Sequence, residues 1–178
     1  MKGYKMLNSD MTSSYGGITY ELGNTYKIQE QIIPCFRGYH FCKELTRCLS
    51  YYPNMKCDKR FFEIETGDNI VKRGDKYVTD EITLVRELSL DEVFEYIRNN
   101  KDKVNWYYIS KHLKLSEDFI REFQNRVNWY CISVYQQLSE DFIREFENWV
   151  DWFYISRCQK LSEEFKQEFK DKLTMWMM

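Results

Sequence analysis

The chain has 178 residues, of which 43% are hydrophobic, 17% aromatic and 30% charged. These proportions are typical of folded domains and unlike those of disordered chains. The formal net charge is −2, with 13 basic and 12 acidic residues up to Leu88 and 13 basic and 16 acidic residues after it. Neither part has the basic excess that phosphate contacts need, so we do not expect nucleic acid as a partner.

The sequence has no continuous apolar run of about 18 residues, so no membrane span is expected. Its first residues lack the apolar core of a signal peptide. We therefore expect an intracellular protein that is not secreted and keeps its six cysteines reduced. The sequence contains no alanine, which indicates AT-rich coding and says nothing about chemistry.

The first part of the chain has the pattern of short strands and turns. Residues 2–7 predict a strand, and residues 18–22 and 25–33 flank Gly23 and Asn24, which predicts a hairpin or tight turn there. The segment 44–52 has the spacing of a helix, with Pro53 beyond its end.

Two clearer strand patterns follow. In residues 60–65, one face of the predicted strand is apolar and the other carries both polar and apolar side chains. Residues 76–88 show the same alternation over a longer stretch, which predicts a second, longer strand. The linking segment 66–75 contains Gly67 and Gly74, which predicts a loop or a second hairpin.

A capping box then marks the change from strand patterns to helix patterns. Ser89 is followed three positions later by Glu92, which predicts the start of a helix over residues 89–100. We place the domain boundary here, with a small α+β domain at residues 1–87 and a helical domain at residues 88–178.

The helical domain contains three copies of one sequence motif, which start at Val104, Val127 and Val150 and are spaced 23 residues apart. Serines before acidic pairs predict the N-caps of one helix in each copy, and Asn105, Asn128 and Asp151 those of the other. Such short helices are stable only when stacked. Residues 173–178 place Leu173, Met175 and Met178 at the repeated valine, tryptophan and isoleucine positions, which predicts a truncated fourth copy. The expected fold class is α+β, a small, mainly antiparallel β domain followed by an array of short helical hairpins.

Cysteine and histidine cluster in the first domain, and zinc binding must be weighed. The residues are Cys35, His40, Cys42, Cys48 and Cys57. Because they contain no CxxC pair and match no zinc-finger spacing, we expect buried free thiols and no metal.

Alignment of the repeats separates positions that vary from those that do not. His112 is replaced by Tyr135 and Cys158 in the other copies, which predicts a surface or rim position. Trp149 replaces Arg126 and Lys172, so it is a candidate for contact with a partner, although packing on the next repeat is an equally good interpretation.

The other contact candidates are Tyr107, Tyr130 and Tyr135. They belong to a set of repeat positions whose exposure tests partner binding. That interpretation gains weight if the positions 107–108, 111–112, 130–131, 134–135, 153–154 and 157–158 form one exposed strip.

Several stretches of the first domain carry a resemblance. They are Gly3-Tyr4-Lys5, Thr19-Tyr20-Glu21-Leu22-Gly23, Gly38-Tyr39-His40-Phe41-Cys42, Tyr51-Tyr52-Pro53 and residues 82–88. Together they resemble an uncharacterised family of phage, bacterial and giant-virus domains. The tryptophan- and phenylalanine-rich copies resemble repeat arrays in proteins of mimivirus-like giant viruses. Neither resemblance implies an activity.

The order of elements is also similar to that of ADP-ribosyltransferases. That resemblance implies NAD as a cofactor, Lys2 beside Gly3 at the basic motif and Tyr39 and His40 at the central motif. It makes Glu81 the late glutamate that steadies an oxocarbenium-like transition state. Lys2 stands where that family has Arg or His, and the family's Ser-Thr-Ser is absent.

The favoured function is protein binding through the helical repeats, with no cofactor and with an unidentified protein partner. It would take place in the host cytoplasm if the protein is viral. An NAD-using or degenerate transferase domain is the alternative.

Overall fold

The computed structural model describes residues 1–13, 17–34, 36–50, 59–74 and 76–174. The chain forms two compact units, Met1–Asn105 and Trp106–Met178. Two antiparallel sheets lie in the first and a run of short helices forms the second, which confirms the predicted α+β class. Among the described residues, no helix has the length and apolarity to cross a membrane.

The first unit contains seven described strands and two described helices. In chain order they are β1 (Lys2–Asn8), β2 (Thr25–Lys27), β3 (Tyr39–Phe41), α1 (Leu45–Ser50), β4 (Lys59–Thr66), β5 (Ile70–Arg73), β6 (Lys76–Thr79), β7 (Glu81–Leu88) and α2 (Leu90–Asn99).

The larger sheet has the antiparallel order β1-β4-β7-β2. Side chains alternate between its two faces, so Leu7, Phe62 and Ile64 lie on one face, where they are fully buried with aromatic residues from neighbouring segments. The opposite face carries Tyr4, whose ring lies 6.2 Å from that of Tyr96 on α2. Helix α2 thus packs on part of this second face.

Helix α2 begins as its sequence predicts. The Ser89 hydroxyl accepts a hydrogen bond from the amide of Glu92, and the Glu92 carboxylate accepts one from the amide of Ser89, forming a complete capping box. The helix belongs to the first compact unit, which extends to Asn105, whereas the sequence pattern placed the boundary at residues 87–88.

The long strand predicted over residues 76–88 is wrong, because the chain changes sheets in its middle. β6 pairs with β3 and β5 in the smaller sheet, and β7 pairs with β4 and β2 in the larger one. At the corner the Thr79 hydroxyl accepts from the amide of Glu81 at 3.3 Å and donates to its carbonyl at 3.1 Å. Of the loop or second hairpin predicted for residues 66–75, the structure contains the hairpin: β5 lies within this segment and pairs with β6, which begins at Lys76.

Of the hairpin or tight turn predicted around Gly23, the structure contains the tight turn. Gly23 has a φ of +82°, a conformation that favours glycine. β2 pairs with β7, aligning Tyr26 with Ile82, while Thr19 forms an isolated bridge with Thr12. The strands on either side of the turn therefore find partners elsewhere in the unit.

Gly3 allows β1 to approach the segment that follows β3. A Cβ atom at Gly3 would lie 2.7 Å from Cδ2 of Phe41 and 2.8 Å from the carbonyl oxygen of Cys42. That oxygen accepts the amide of Tyr4 at 2.7 Å, so it has little freedom to move.

We expect Gly3→Ala to lower the free energy of unfolding by about 1–3 kcal/mol, as overpacking in a rigid core does. Urea unfolding followed by circular dichroism measures the change. Lys2→Ala at the exposed neighbouring position is the matched control, and equal effects of the two substitutions would contradict the close approach.

Among its described residues, the second unit contains two short helices per copy and a further helix after the two of the third copy. They are α3 (Trp106–His112), α4 (Glu117–Glu122), α5 (Trp129–Tyr135), α6 (Glu140–Glu145), α7 (Trp152–Cys158), α8 (Glu163–Glu168) and α9 (Lys170–Thr174). The predicted serine caps are confirmed: Ser116, Ser139 and Ser162 accept from the amides three residues later. Asn128 and Asp151 cap α5 and α7.

Each copy has an aromatic core of one tryptophan and two phenylalanines. In the second copy the Trp129 ring lies 4.9 Å from Phe146 and 6.3 Å from Phe142, and the third copy repeats this arrangement with Trp152, Phe169 and Phe165. The indole N–H of Trp129 donates to the carbonyl of Gln124, so its polar group is also satisfied. The three repeated tryptophans, Trp106, Trp129 and Trp152, are thus half-buried and pack on the phenylalanines of their own copies.

Successive copies are joined by hydrogen bonds between equivalent positions. The Gln136 amide reaches into the preceding copy, where it accepts from the amide of Leu115 at 2.9 Å and donates to the carbonyls of Ser110 and Leu113 at 2.8 Å each. Gln159 makes the corresponding bonds one copy later. These junctions fix the register of the stack.

Leu173 occupies the position of the repeated valines. It is buried, and its amide donates to the carbonyl of Phe169 as that of Val150 donates to Phe146. Met175 and Met178, the other members of the predicted fourth copy, lie outside the described residues.

Candidate functional site

A buried lysine is the most unusual polar group in the first unit. Lys5 points into the core from β1, and only 4% of it is exposed. Its ammonium donates to the backbone carbonyl of His40 at 2.8 Å and lies 5.0 Å from the centre of the Tyr20 ring. Burial lowers the pKa of Lys5 to about 8, because a low-dielectric surrounding disfavours the charged amine.

Two thiols lie beside this lysine. Cys42 directly follows β3, and Cys48 is on α1; both are buried. The Cys48 thiol donates to the carbonyl of Tyr4 at 3.4 Å, and its interaction with the Cys42 side chain lowers the pKa of the Cys42 thiol. We name this group the Lys5 cluster, comprising Lys5, Tyr20, His40, Cys42 and Cys48.

The Lys5 cluster joins stretches that are distant in sequence. Each of its members except Cys48 belongs to one of the stretches that carry the family resemblance, around Gly3, Thr19 and Gly38. The stretch at residues 51–53 lies outside the described residues. Lys5 was not a candidate in the sequence, because the alternation around it resembles that of any half-exposed strand.

The four residues of the transferase interpretation have different neighbours. Tyr39 is buried, with its ring 6.4 Å from Tyr20 and 6.5 Å from Tyr26. Glu81 forms an ion pair with Lys27 at 2.7 Å.

The other two residues of that interpretation lie on β1 and β3. Lys2 is exposed and pairs across the sheet with Glu65. His40 is half-buried, and burial followed by the charges of Lys5 and Lys76 lowers the pKa of its imidazole.

The structure places only part of the considered zinc set. Cys35 and Cys57 lie outside the described residues. Among the residues that the structure describes, no three His, Cys, Asp or Glu side chains are close enough to hold a metal ion.

The second unit presents a row of tyrosines on the first helices of its copies. Tyr107, Tyr130 and Tyr135 are each more than 40% exposed. The Lys111 ammonium bridges neighbouring copies, at 5.8 Å from the Tyr107 ring and 5.4 Å from the Tyr135 ring.

The row continues into the third copy. The rings of Tyr130 and Tyr154 meet at 4.9 Å, and a hydrogen bond between them raises the pKa of Tyr130 to about 12. In α7 the Arg157 guanidinium lies 3.7 Å from the centre of the Phe153 ring. We call this surface the tyrosine face, defined by Tyr107, Lys111, Tyr130, Tyr135, Phe153, Tyr154 and Arg157.

Charge is divided between the two rows of helices. The first helices α3, α5 and α7 contain no aspartate or glutamate, whereas α4, α6 and α8 contain three acidic residues each. The acidic row is held by ion pairs between copies, such as Arg121 with Glu145 at 2.8 Å and Arg144 with Glu168 at 2.8 Å. The cations of the tyrosine face therefore have no carboxylate on their own helices.

Trp149 is both exposed and packed. It is 45% exposed, and its ring lies 5.5 Å from that of Trp129. Lys172 occupies the equivalent position in the third copy and places its ammonium 5.1 Å from the Trp152 ring. The residue at this repeat position therefore packs on the tryptophan of its own copy. It does so with an aromatic ring in the second copy and with an ammonium group in the third.

The surface position predicted for His112 is wrong. The imidazole is buried and stacks on Tyr108 with ring centres 5.8 Å apart, while the equivalent Tyr135 and Cys158 are exposed. The positions considered for a strip are therefore not all exposed, because His112 and Cys131 are buried. Alignment of the copies could not show the burial of His112, because its equivalents in the other two copies are exposed.

The similarity to a known family lies in the first unit. A family model described as a domain of unknown function (DUF7666) matches residues 1–96. No curated protein and no solved structure matches the chain.

Proposed function

The chain belongs to the family of the domain of unknown function DUF7666, and from this premise we propose that it is an interaction protein whose repeat unit binds an acidic segment of another protein. The family match ends at residue 96, before the repeats begin. The repeats thus add to the family domain a surface of their own.

The observation that carries the proposal is the tyrosine face. Aromatic rings and guanidinium groups are the side chains that contribute most to protein interfaces. Here they are exposed together on three stacked helices, with Lys111 and Arg157 held against the rings.

The charge distribution selects the partner. A carboxylate-bearing segment finds phenol hydroxyls and two cations on this face and meets no carboxylate of α3, α5 or α7. A basic segment would be repelled by the cations and would find the acidic row already engaged in ion pairs. Complementary charge of this kind contributes to specificity and to the association rate.

The resemblance of the copies to arrays in mimivirus-like giant-virus proteins, together with the lack of alanine, supports a viral source. We infer that the protein then acts in the cytoplasm of an infected host.

Peptide binding tests the proposal. Two labelled peptides of one design are compared, one containing glutamate and leucine and one with every glutamate replaced by glutamine. We expect the glutamate peptide to bind at least ~10-fold more tightly at low salt, with the difference shrinking as salt screens the charges. Fluorescence anisotropy measures both affinities, and equal binding of the two peptides would contradict an acidic partner.

Substitutions then locate the binding surface. The double variant Tyr107→Ser, Tyr135→Ser is expected to weaken binding at least ~10-fold. Glu122→Gln, on the acidic row, is the matched control and should change little. The variant Trp149→Lys tests whether Trp149, the remaining contact candidate, takes part in binding. Lysine is chosen because Lys172 shows that this residue fits over the tryptophan of its copy.

A further inference from the structure

Cys42 and Cys48 converge on one carbonyl group of β1. The amide of Cys42 donates to the carbonyl of Tyr4 at 2.8 Å, and the Cys48 thiol donates to the same oxygen at 3.4 Å. The two residues, which are six positions apart in the sequence, therefore meet at one backbone oxygen. Contact with the Cys48 side chain also lowers the pKa of the Cys42 thiol. A disulfide requires its two residues to be this close in the fold.

The surroundings make the two sulfurs unequal. Both residues are buried, but Cys42 is the more accessible of the two, at 7% exposed against 1% for Cys48. The hydrogen bond from Cys48, and next the positive charge of Lys5, lower the pKa of the Cys42 thiol. Burial raises the pKa of Cys48. A thiol of lowered pKa beside a thiol of raised pKa is the arrangement of a nucleophile with its resolving partner.

We propose that Cys42 and Cys48 form a reactive dithiol, which a hydroperoxide oxidises to an intramolecular disulfide. The pair rests on the contacts around Tyr4 and Lys5 and is independent of the binding proposed for the repeats.

The chemistry balances in two steps. The Cys42 thiolate attacks one peroxide oxygen, so that an S–O bond forms as the O–O bond breaks, and the departing hydroxide takes a proton to become water. The Cys48 sulfur then attacks the sulfenic sulfur of Cys42, the S–O bond breaks, and the second hydroxide takes the proton that Cys48 loses. Two electrons from the thiols thereby reduce hydrogen peroxide to two molecules of water.

Lys5 acts as a positioning residue in this scheme. Its ammonium is held at the carbonyl of His40, two residues before Cys42, and at the Tyr20 ring. A cation fixed there favours the thiolate form of Cys42 and so raises the fraction of the reactive species.

Peptide mapping of the full chain tests the disulfide directly. Trypsin cleaves after Lys43 and Arg47, so Cys42 and Cys48 fall on separate peptides that only a disulfide can join. After treatment with hydrogen peroxide and alkylation of the remaining thiols, we expect a linked pair about 2 Da lighter than its two reduced peptides together. Alkylation of both cysteines to the same extent as in untreated protein, or linkage of either one to Cys35 or Cys57, would overturn the proposal.

Single variants separate the two roles. Cys48→Ser is expected to stop at a sulfenic acid that dimedone labels at Cys42, whereas Cys42→Ser should give no label at Cys48. Lys5→Met is expected to slow oxidation about 10-fold near neutral pH and to move the rate profile to higher pH. Cys158→Ser, at an exposed cysteine of the second unit, is the control and should leave the linked pair unchanged. An unaltered pH profile in Lys5→Met would remove Lys5 from the scheme.

Discussion

Replacing Gln136 by leucine is expected to lower the free energy of unfolding of the repeat unit by about 3–5 kcal/mol. Leucine has a similar volume and no polar atoms. The substitution therefore strands the buried amide of Leu115 and two carbonyls, those of Ser110 and Leu113, which Gln136 now satisfies. Each stranded group costs its desolvation in full.

Tryptophan fluorescence follows this unfolding selectively, because all five tryptophans lie at or after position 106. Gln137→Leu changes the exposed neighbour and is the control, for which we expect less than about 0.5 kcal/mol. Gln159→Leu removes the same bonds at the next junction, but Gln159 is half-buried and its loss should be smaller. Equal effects of the substitutions at 136 and 137 would show that the junction bonds do not hold the stack.

Titration of Lys5 is expected to make the first unit more stable as the pH rises from 7 to 9.5. In the folded unit the amine loses its proton near pH 8, while in the unfolded chain it does so near its ordinary value of 10.5. Between these values the unfolded chain binds more protons, so deprotonation favours the folded state. The contribution of Lys5 is fully present above pH 10.5 and is lost as the pH falls through 8. It amounts to roughly 3 kcal/mol in all, of which about 2 kcal/mol falls between pH 7 and 9.5.

Comparison with Lys5→Met isolates this effect. Urea unfolding by far-UV circular dichroism, at several pH values, gives the difference in stability between the two proteins. Because the Cys42 thiol titrates under the influence of Lys5, both proteins should carry Cys42→Ser and Cys48→Ser. A difference that stays constant from pH 7 to 9.5 would show that Lys5 keeps its ordinary pKa in the fold.

The features that sequence predicted well are local. The serine caps of α4, α6 and α8 depend on a hydroxyl and an amide three residues apart, and the aromatic core of each copy depends on helical spacing. Repetition strengthened both signals. The α+β class was predicted from the change between the strand pattern of the first part of the chain and the helical pattern of the second.

The features that sequence missed depend on distant contacts. The alternation in residues 76–88 continues through Asp80, so nothing local marks the passage from one sheet to the other. Lys5 is buried because the carbonyl of His40 and the ring of Tyr20 meet it from elsewhere in the chain. The cysteines were weighed as metal ligands by spacing, and spacing cannot show that a strand end and a helix bring Cys42 and Cys48 together.

The junctions between copies have a consequence for how such a chain can change. Arg121 pairs with Glu145 as Arg144 pairs with Glu168, and Gln136 meets the first copy as Gln159 meets the second. The second copy carries both the arginine and the glutamine of these junctions, so the loss or duplication of this 23-residue unit recreates an intact junction. Unequal recombination of the gene can therefore shorten or lengthen the array by this unit without any compensating substitution.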